Sequence, residues 1–246
     1  MLDSMLHFYS FNTTYKRRIV LVENCVNRQT RSRLWIASIF VLLILLIDQV
    51  IKWEVKTGMS LYERIEVTSW FHILFTENQG MAFGMQFIGT LFLTIFRVVA
   101  IVFFLVYLFR LCRKQAPWGL IVCVAAIIAG AIGNVIDNCL YGLIFSESQY
   151  NEIAQFVTFG EGYGHFMEGK VVDMFYFPLF TWPDWVPLLG GEVFFSAIFN
   201  FADASISCGI VAMLLFYPKY IGLTKESNQT AESSDKSEDT DMVSSK

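Results

Sequence analysis

Four long apolar runs, separated by polar stretches, dominate the pattern of the chain. Each has close to the ~20 mostly apolar residues that a helix needs to cross a bilayer. The pattern therefore predicts an all-α membrane protein with four transmembrane helices, at residues 34–53, 91–111, 118–138 and 193–217.

The stretches between these runs are of two kinds. Residues 61–77 are rich in Ile, Val, Thr, Trp and Phe with partial alternation, which predicts strands near the membrane surface. Residues 139–192 form an extended second loop with Trp182 and Trp185, side chains that suit the headgroup region. The sequence thus predicts a small β-rich part beside the helices.

The Lys and Arg residues are segregated, and this predicts an orientation. They crowd the leader (1–33), the link between the second and third runs, and the start of the tail (218–246), and they are scarce in the two long loops. Both termini should therefore be cytoplasmic, flanking a membrane domain at 34–217. The tail is too polar to bury a core, so we expect disorder there. A misassigned start codon would also explain the long basic leader.

Composition supports this class of protein. Hydrophobic residues make up 55% of the chain and charged residues 16%, against about 45–50% and about 25% in soluble domains. No basic patch suggests nucleic-acid binding. The five cysteines lack CxxC spacing and the three histidines form no metal motif, so we predict neither a metal nor another cofactor.

Two aspartates suggest chemistry. Asp203 lies within the fourth run with Asn200 three residues before it, and an Asp at a helix centre costs about 2.5–3.5 kcal/mol to insert. Asp173 lies in an apolar stretch upstream. If they share a site, one pKa rises and the pair holds a single proton, which suits peptide hydrolysis without a metal or nucleophile. Alternatively, Asp203 makes a structural hydrogen bond and Asp173 faces water.

Further polar residues interrupt the other runs. Asp48 and Lys52 share a helix face, either as part of a site or as an interfacial ion pair with Lys52 reaching water. Asn134 and Asp137 share a face of the third run, where they could also serve helix packing. For Arg97 in the second run, the pattern favours a side chain that extends outward to water over one paired with a carboxylate.

Five blocks in order resemble the bacterial lipoprotein signal peptidase (signal peptidase II) family of four-helix membrane aspartyl proteases. They are Asp-Gln-Val-Ile-Lys at 48–52, Asn-Gln-Gly-Met-Ala-Phe-Gly at 78–84, Gly-Ala-Ile-Gly-Asn-Val-Ile-Asp at 130–137, Val-Val-Asp-Met at 171–174 and Phe-Asn-Phe-Ala-Asp at 199–203. The second block alone could be a simple turn.

The resemblance implies an aspartic endopeptidase of the inner membrane, with residues 61–77 forming a periplasmic cradle and the active site toward the periplasm. It would remove the signal peptide from diacylglyceryl-modified prolipoproteins just before the lipidated cysteine. It implies a monomer sensitive to globomycin-type inhibitors. Asp173 and Asp203 match the catalytic dyad; the matching supporting residues are Asp48, Lys52, Asn78, Gly80, Asn134, Asp137 and Asn200.

Three features depart from the family, and one is Ala129 in place of the first glycine of the third block. Asn138 stands where an arginine usually follows Asp137, so the cation is missing or comes from Arg97 or Lys170. The loop at 139–170 is much longer than usual and could alter substrate access or act as a lid. Rival interpretations are a small proton-coupled transporter, which the lack of internal repeats disfavours, and a non-enzymatic assembly factor.

Overall fold

The computed structural model of the chain describes residues 2–79 and 90–222, with side chains described at 26–79, 91–220 and 222. Gly80 and nearly all of the tail, for which the sequence carries predictions, lie outside these ranges. The helices are α1 (Leu2–Gly58), α2 (Thr90–Arg113), α3 (Trp118–Ile136), the short α4 (Gly142–Ile144) and α5 (Phe201–Phe216). A π-helical turn, Asp137–Tyr141, joins α3 to α4.

Within the described ranges, three helical stretches are long and apolar enough to cross a membrane: Val26–Gly58, Leu91–Arg113 and Trp118–Ile144. They contain the first three predicted runs. The first run is part of a longer helix than predicted, because α1 continues through the basic leader from Leu2. These helices and an antiparallel sheet make the protein a helical membrane protein with a small β region.

The fourth run was predicted as one helix over 193–217, and this was wrong at its start. Its first residues form two short strands, β5 (Val193–Phe194) and β6 (Ile198–Phe199), and α5 has only 16 residues. These residues are β-branched or aromatic and pair with neighbouring strands, which outweighs their apolar continuity with the helix. Asn200 then caps α5, so Asp203 lies in its first turn.

The strands predicted at 61–77 are confirmed as β1 (Arg64–Thr68) and β2 (Phe71–Asn78). With β3 (Val171–Tyr176) and β6 they form an antiparallel sheet in the order β1-β2-β3-β6. In this register Asp173 lies opposite Thr76, and Phe175 lies opposite Phe199. A separate pair joins β4 (Phe180–Thr181) to β5.

Two apolar cores hold these parts together. One lies between the helices around Leu120, Val124 and Ile128 of α3, and the other joins the sheet to α1 and the second outer loop through Phe75 and Phe145. Helices α3 and α5 come unusually close, because Gly130 faces the backbone carbonyl of Ala202 with no room for a side chain. This contact brings the first turn of α5 beside the outer part of α3.

Candidate active site

Asp173 and Asp203 reach one site from different elements, and Asn200 links them. Because β6 pairs with β3, the residue after β6 lies beside Asp173. Asn200 Nδ2 donates to Asp173 Oδ1 at 2.6 Å, while Asn200 Oδ1 accepts the backbone N–H of Asp203 at 2.8 Å. One asparagine therefore caps α5 and holds both aspartates in place.

Asn134 of α3 makes the matching contact with the second aspartate. Its Nδ2 donates to Asp203 Oδ1 at 2.7 Å. Its Oδ1 accepts from Lys52 Nζ at 2.8 Å and from Asn200 Nδ2 at 3.2 Å. Asn200 thus donates to Asp173 and Asn134 donates to Asp203, and the two amides are hydrogen-bonded to each other.

A buried ion-pair cluster lies behind the asparagines. Lys52 is fully buried, with Nζ 3.0 Å from Asp48 Oδ2 and 2.8 Å from Asp137 Oδ2. The interpretation in which Lys52 extends to water is therefore wrong, since two carboxylates and Asn134 take up its donors. Asp48 Oδ1 also accepts the backbone N–H of Ala202 at 2.9 Å, so the cluster fixes the start of α5 as well.

Gln49 belongs to this cluster, and sequence reasoning gave it no role. Its Nε2 donates to Asp137 Oδ1 at 2.9 Å and to Asp48 Oδ2 at 3.1 Å, and Tyr141 donates to its Oε1 at 3.3 Å. Its position between Asp48 and Lys52 in the first motif was the available signal. Asp137 also accepts the backbone N–H of Val172 at 3.4 Å, which ties the cluster to β3.

Asp173 has an unusual electrostatic setting. It is 3% exposed. Burial, and then the nearby negative charge of Asp203, raise its pKa from 3.8 to about 7, although hydrogen bonds from Asn200 and Asn78 and the charge of Lys52 oppose this. At neutral pH this carboxyl group exchanges a proton readily, as a general acid or base requires.

Arg97 does not extend outward to water, so the interpretation that the pattern favoured was wrong. Its Nη1 donates to Asn138 Oδ1 at 2.7 Å, and Asn138 Nδ2 donates to the carbonyl of Gly169 at 2.7 Å. Arg97 of α2 therefore supplies a cation next to the buried Asn138. Lys170, the other candidate, instead pairs with Glu77 at 3.4 Å and Glu147 at 3.2 Å.

A second buried polar cluster anchors the long outer loop. Lys56 Nζ contacts Glu77 and donates to Ser148 Oγ at 2.7 Å, and Ser148 donates to Glu77 at 2.8 Å. Beside it, a cavity of about 510 Å³ extends along β2 to Asp173, with Asn78 and Lys170 in its wall. Across the described ranges, no three His, Cys, Asp or Glu side chains gather as a metal site would need.

The family model described as signal peptidase (SPase) II matches residues 40–218, well over half of the chain. The chain belongs to the signal peptidase II family. The lipoprotein signal peptidase of Porphyromonas gingivalis is 45% identical over 200 residues, covering 79% of this chain and 88% of that protein. That of Amoebophilus asiaticus is 33% identical over 188 residues, covering 71% and 74%. A bacterial membrane enzyme solved by the in meso method has a TM-score of 0.49 at 22% identity, covering 77% of this chain and 92% of that one.

Family membership confirms the predicted class of enzyme. The protein is an aspartic-type membrane peptidase, a lipoprotein signal peptidase. The transporter and assembly-factor interpretations lose their basis. In this chain, hydrogen bonds and ion pairs bring five further polar residues close to Asp173 and Asp203: Asp48, Lys52, Asn134, Asp137 and Asn200.

Proposed function

We propose that Asp173 and Asp203 are the catalytic pair of this signal peptidase, and that it cleaves diacylglyceryl-modified prolipoproteins just before the lipidated cysteine. The observation that carries the proposal is the hydrogen bonding of Asn200 to both aspartates. Two aspartates held by one asparagine, with the pKa of Asp173 raised to about 7 by burial and by the charge of Asp203, are suited to share a single proton.

The reaction then needs only these two groups and a water. The ionised carboxylate takes a proton from the water as its oxygen bonds to the scissile carbonyl carbon, and the protonated carboxyl donates to the carbonyl oxygen. In the tetrahedral intermediate the C–N bond breaks and a proton passes to the cysteine nitrogen. Because the two aspartates share one proton in this proposal, the acid and base roles belong to the pair and not to one residue each.

The surrounding residues have a positioning role in this proposal. Asn134 and Asn200 fix the carboxyl groups, and Lys52 with its two aspartates fixes Asn134 and the start of α5. Asn78, beside Asp173 at the end of β2, is suited to bind the substrate backbone. The resemblance assigns Gly80 a supporting role as well, and this residue lies outside the described ranges.

The proposed setting is the inner membrane, with both termini in the cytoplasm and the site toward the periplasm. The basic residues Arg110 and Arg113 in the last turn of α2, and Lys114 just after it, support this orientation. We take α5 as the fourth span: its 16 residues give a length of about 24 Å, slightly less than the ~30 Å hydrocarbon core. Asp203, in its first turn, then lies just below the outer surface, where a diacyl anchor can bring the scissile bond.

The test is cleavage of a fluorescent diacylated prolipopeptide by the full chain in proteoliposomes, beside Asp173→Asn and Asp203→Asn. Each variant should lose about a thousandfold or more in kcat, since each removes half of the acid–base pair. The exposed Asp184→Asn is the matched control and should keep parent activity. If one active-site variant kept near-parent kcat, that aspartate would be structural. Globomycin should inhibit the parent enzyme in this assay. The purified parent enzyme should be a monomer.

A further inference from the structure

An ordered hairpin lies between the two aspartates in sequence. We call residues 180–194 the outer hairpin: its arms are β4 and β5, with Phe180 opposite Phe194 and their rings stacked 4.7 Å apart. It leaves the sheet after β3, which carries Asp173, and returns to β6, which leads directly into α5. Its position is therefore coupled to both catalytic elements through short connections.

The turn of this hairpin is locally hydrogen-bonded. Two backbone hydrogen bonds join the arms beside the turn. The Trp182 N–H donates to the carbonyl of Glu192 at 2.9 Å, and the Gly191 N–H donates to the carbonyl of Trp182 at 3.0 Å. Gly190 N–H donates to Val186 at 2.9 Å. The backbone of the turn is thus held by its own hydrogen bonds, and the exposed side chains project from it in defined directions.

The side chains so presented are large and apolar. Trp185 is 81% exposed and Leu188 fully exposed, and Leu189 beside it is 43% exposed. Leu188 has φ of 66°, a left-handed conformation that a leucine adopts at a cost. The left-handed residue is part of the turn, and the turn directs the Leu188 side chain outward from the hairpin.

The charge of the hairpin narrows the class of partner. Its only charged residues are Asp184 and Glu192, and no Lys or Arg occurs anywhere from 171 to 218. Attraction to anionic lipid or to an acidic protein is therefore not the basis of binding. A tip with Trp and Leu suits the zone where lipid headgroups meet acyl chains.

The depth of α5 points to the same partner. With its end near Tyr217 at the cytoplasmic side, a helix of about 24 Å brings Asn200 close to the outer boundary of the ~30 Å hydrocarbon core. The hairpin ends only six residues before Asn200. In this orientation the hairpin therefore projects from the protein at the level of the outer headgroups, where its apolar tip can reach lipid.

We propose that the tip of the outer hairpin, with Trp185, Leu188 and Leu189, inserts into the headgroup region of the outer leaflet. The insertion anchors the chain on both sides of the hairpin, β3 before it and β6 after it, at the membrane surface. The inference rests on the proposed orientation, with α5 as the fourth span. It does not depend on which residues are catalytic.

The experiment places a reporter at the tip. Leu188→Cys, in the full chain with its five natural cysteines replaced by alanine, is labelled with the environment-sensitive dye NBD and reconstituted into phosphatidylcholine vesicles. We expect emission at shorter wavelength than in the water-exposed control, and stronger quenching by lipids with a nitroxide near the headgroup than by lipids with one at the acyl terminus. The control is NBD at Glu152→Cys, an exposed site on the second outer loop.

A polar emission at Leu188 equal to that at Glu152 would overturn the proposal. So would an apolar emission that no lipid quencher affects, which would indicate cover by protein, such as a second copy of the chain. The measurement is repeated with Asp173→Asn, which lacks activity under the proposed function. The same lipid quenching there supports insertion whether or not the catalytic assignment holds.

A variant with natural cysteines gives an independent check. Trp185→Phe should remove a component of tryptophan fluorescence that brominated phosphatidylcholine quenches in the parent. If the parent and Trp185→Phe are quenched to the same fraction, the indole does not lie in lipid and the proposal fails.

Discussion

Lys52 Nζ lies 2.8 Å from Asn134 Oδ1, which joins a fully buried ammonium on α1 to an amide on α3. The same asparagine donates to Asp203. A cation donating to the amide oxygen polarises the amide and strengthens the hydrogen bond that its N–H makes. The charge of Lys52 therefore acts on Asp203 without a direct contact between the two.

Lys52→Met should strongly destabilise the protein. It leaves Asp48 and Asp137 as buried carboxylates without their cation, at a cost of about 3–5 kcal/mol in the free energy of unfolding. Denaturant unfolding in detergent micelles measures this, with the exposed Lys114→Met as the matched control. Equal unfolding curves for both variants would show that the cluster contributes no stability. Lys52→Met combined with Asp137→Asn should recover part of the loss.

The activity should depend on pH through Asp173, whose pKa is raised to about 7 by burial and by Asp203. As pH rises through this value the aspartate pair loses its shared proton and with it the general acid. We expect kcat to fall on the alkaline side with an apparent pKa near 7, measured with the fluorescent prolipopeptide. A flat profile from pH 6 to pH 9 would contradict this assignment.

Stability should depend on the same proton. Between pH 3.8 and about 7 the unfolded chain has lost the Asp173 proton while the folded protein keeps it. The folded state then binds more protons, so the contribution of Asp173 to the free energy of unfolding is largest below pH 3.8 and is lost as pH rises to about 7. Asp173→Asn should lessen this decline in denaturant unfolding series. An unchanged slope in the variant would assign the decline to other groups.

Arg97→Leu should weaken the link from α2 to the loop before β3. It removes the donor to buried Asn138, whose amide holds Gly169, and a hydrogen bond to a charged group contributes about 1.5–3 kcal/mol. We expect a lower melting temperature and lower kcat. Arg110→Leu, exposed near the other end of α2, is the control. Equal melting temperatures for the two variants would mean that Arg97 is not a structural partner.

Gly130→Ala should disturb the contact between α3 and α5. A Cβ there overlaps the carbonyl oxygen of Ala202, which is backbone and cannot rotate away. The added methyl group should cost roughly 1–3 kcal/mol and displace Asp203, lowering both stability and kcat. Gly58→Ala is the control, since nothing lies within 4 Å of its Cβ position. Activity in Gly130→Ala equal to that of the control would show that the helices can separate without moving the site.

The sequence by itself determined the class of protein and predicted which residues form its site. Apolar runs long enough for a bilayer can be recognised from composition, and polar residues inside them stand out because burying them is costly. Strands at 61–77 followed from alternation. The ordered motifs around Asp173 and Asp203 identified the family, which needs no knowledge of their distances.

Only the tertiary structure decided how these residues meet. Apolar content does not distinguish a buried strand from a helix, so the start of the fourth run depended on pairing of β6 with β3, and Asn200 became a cap as a result. Lys52 and Arg97 each had a plausible route to water. Besides the nearby Asp48, Lys52 pairs with Asp137, and Arg97 donates to Asn138. Asp137 and Asn138 lie in the turn after α3, and a partner that distant in sequence leaves no local signal. The energy of a buried charge is set by what surrounds it, and that is known only once the chain has folded.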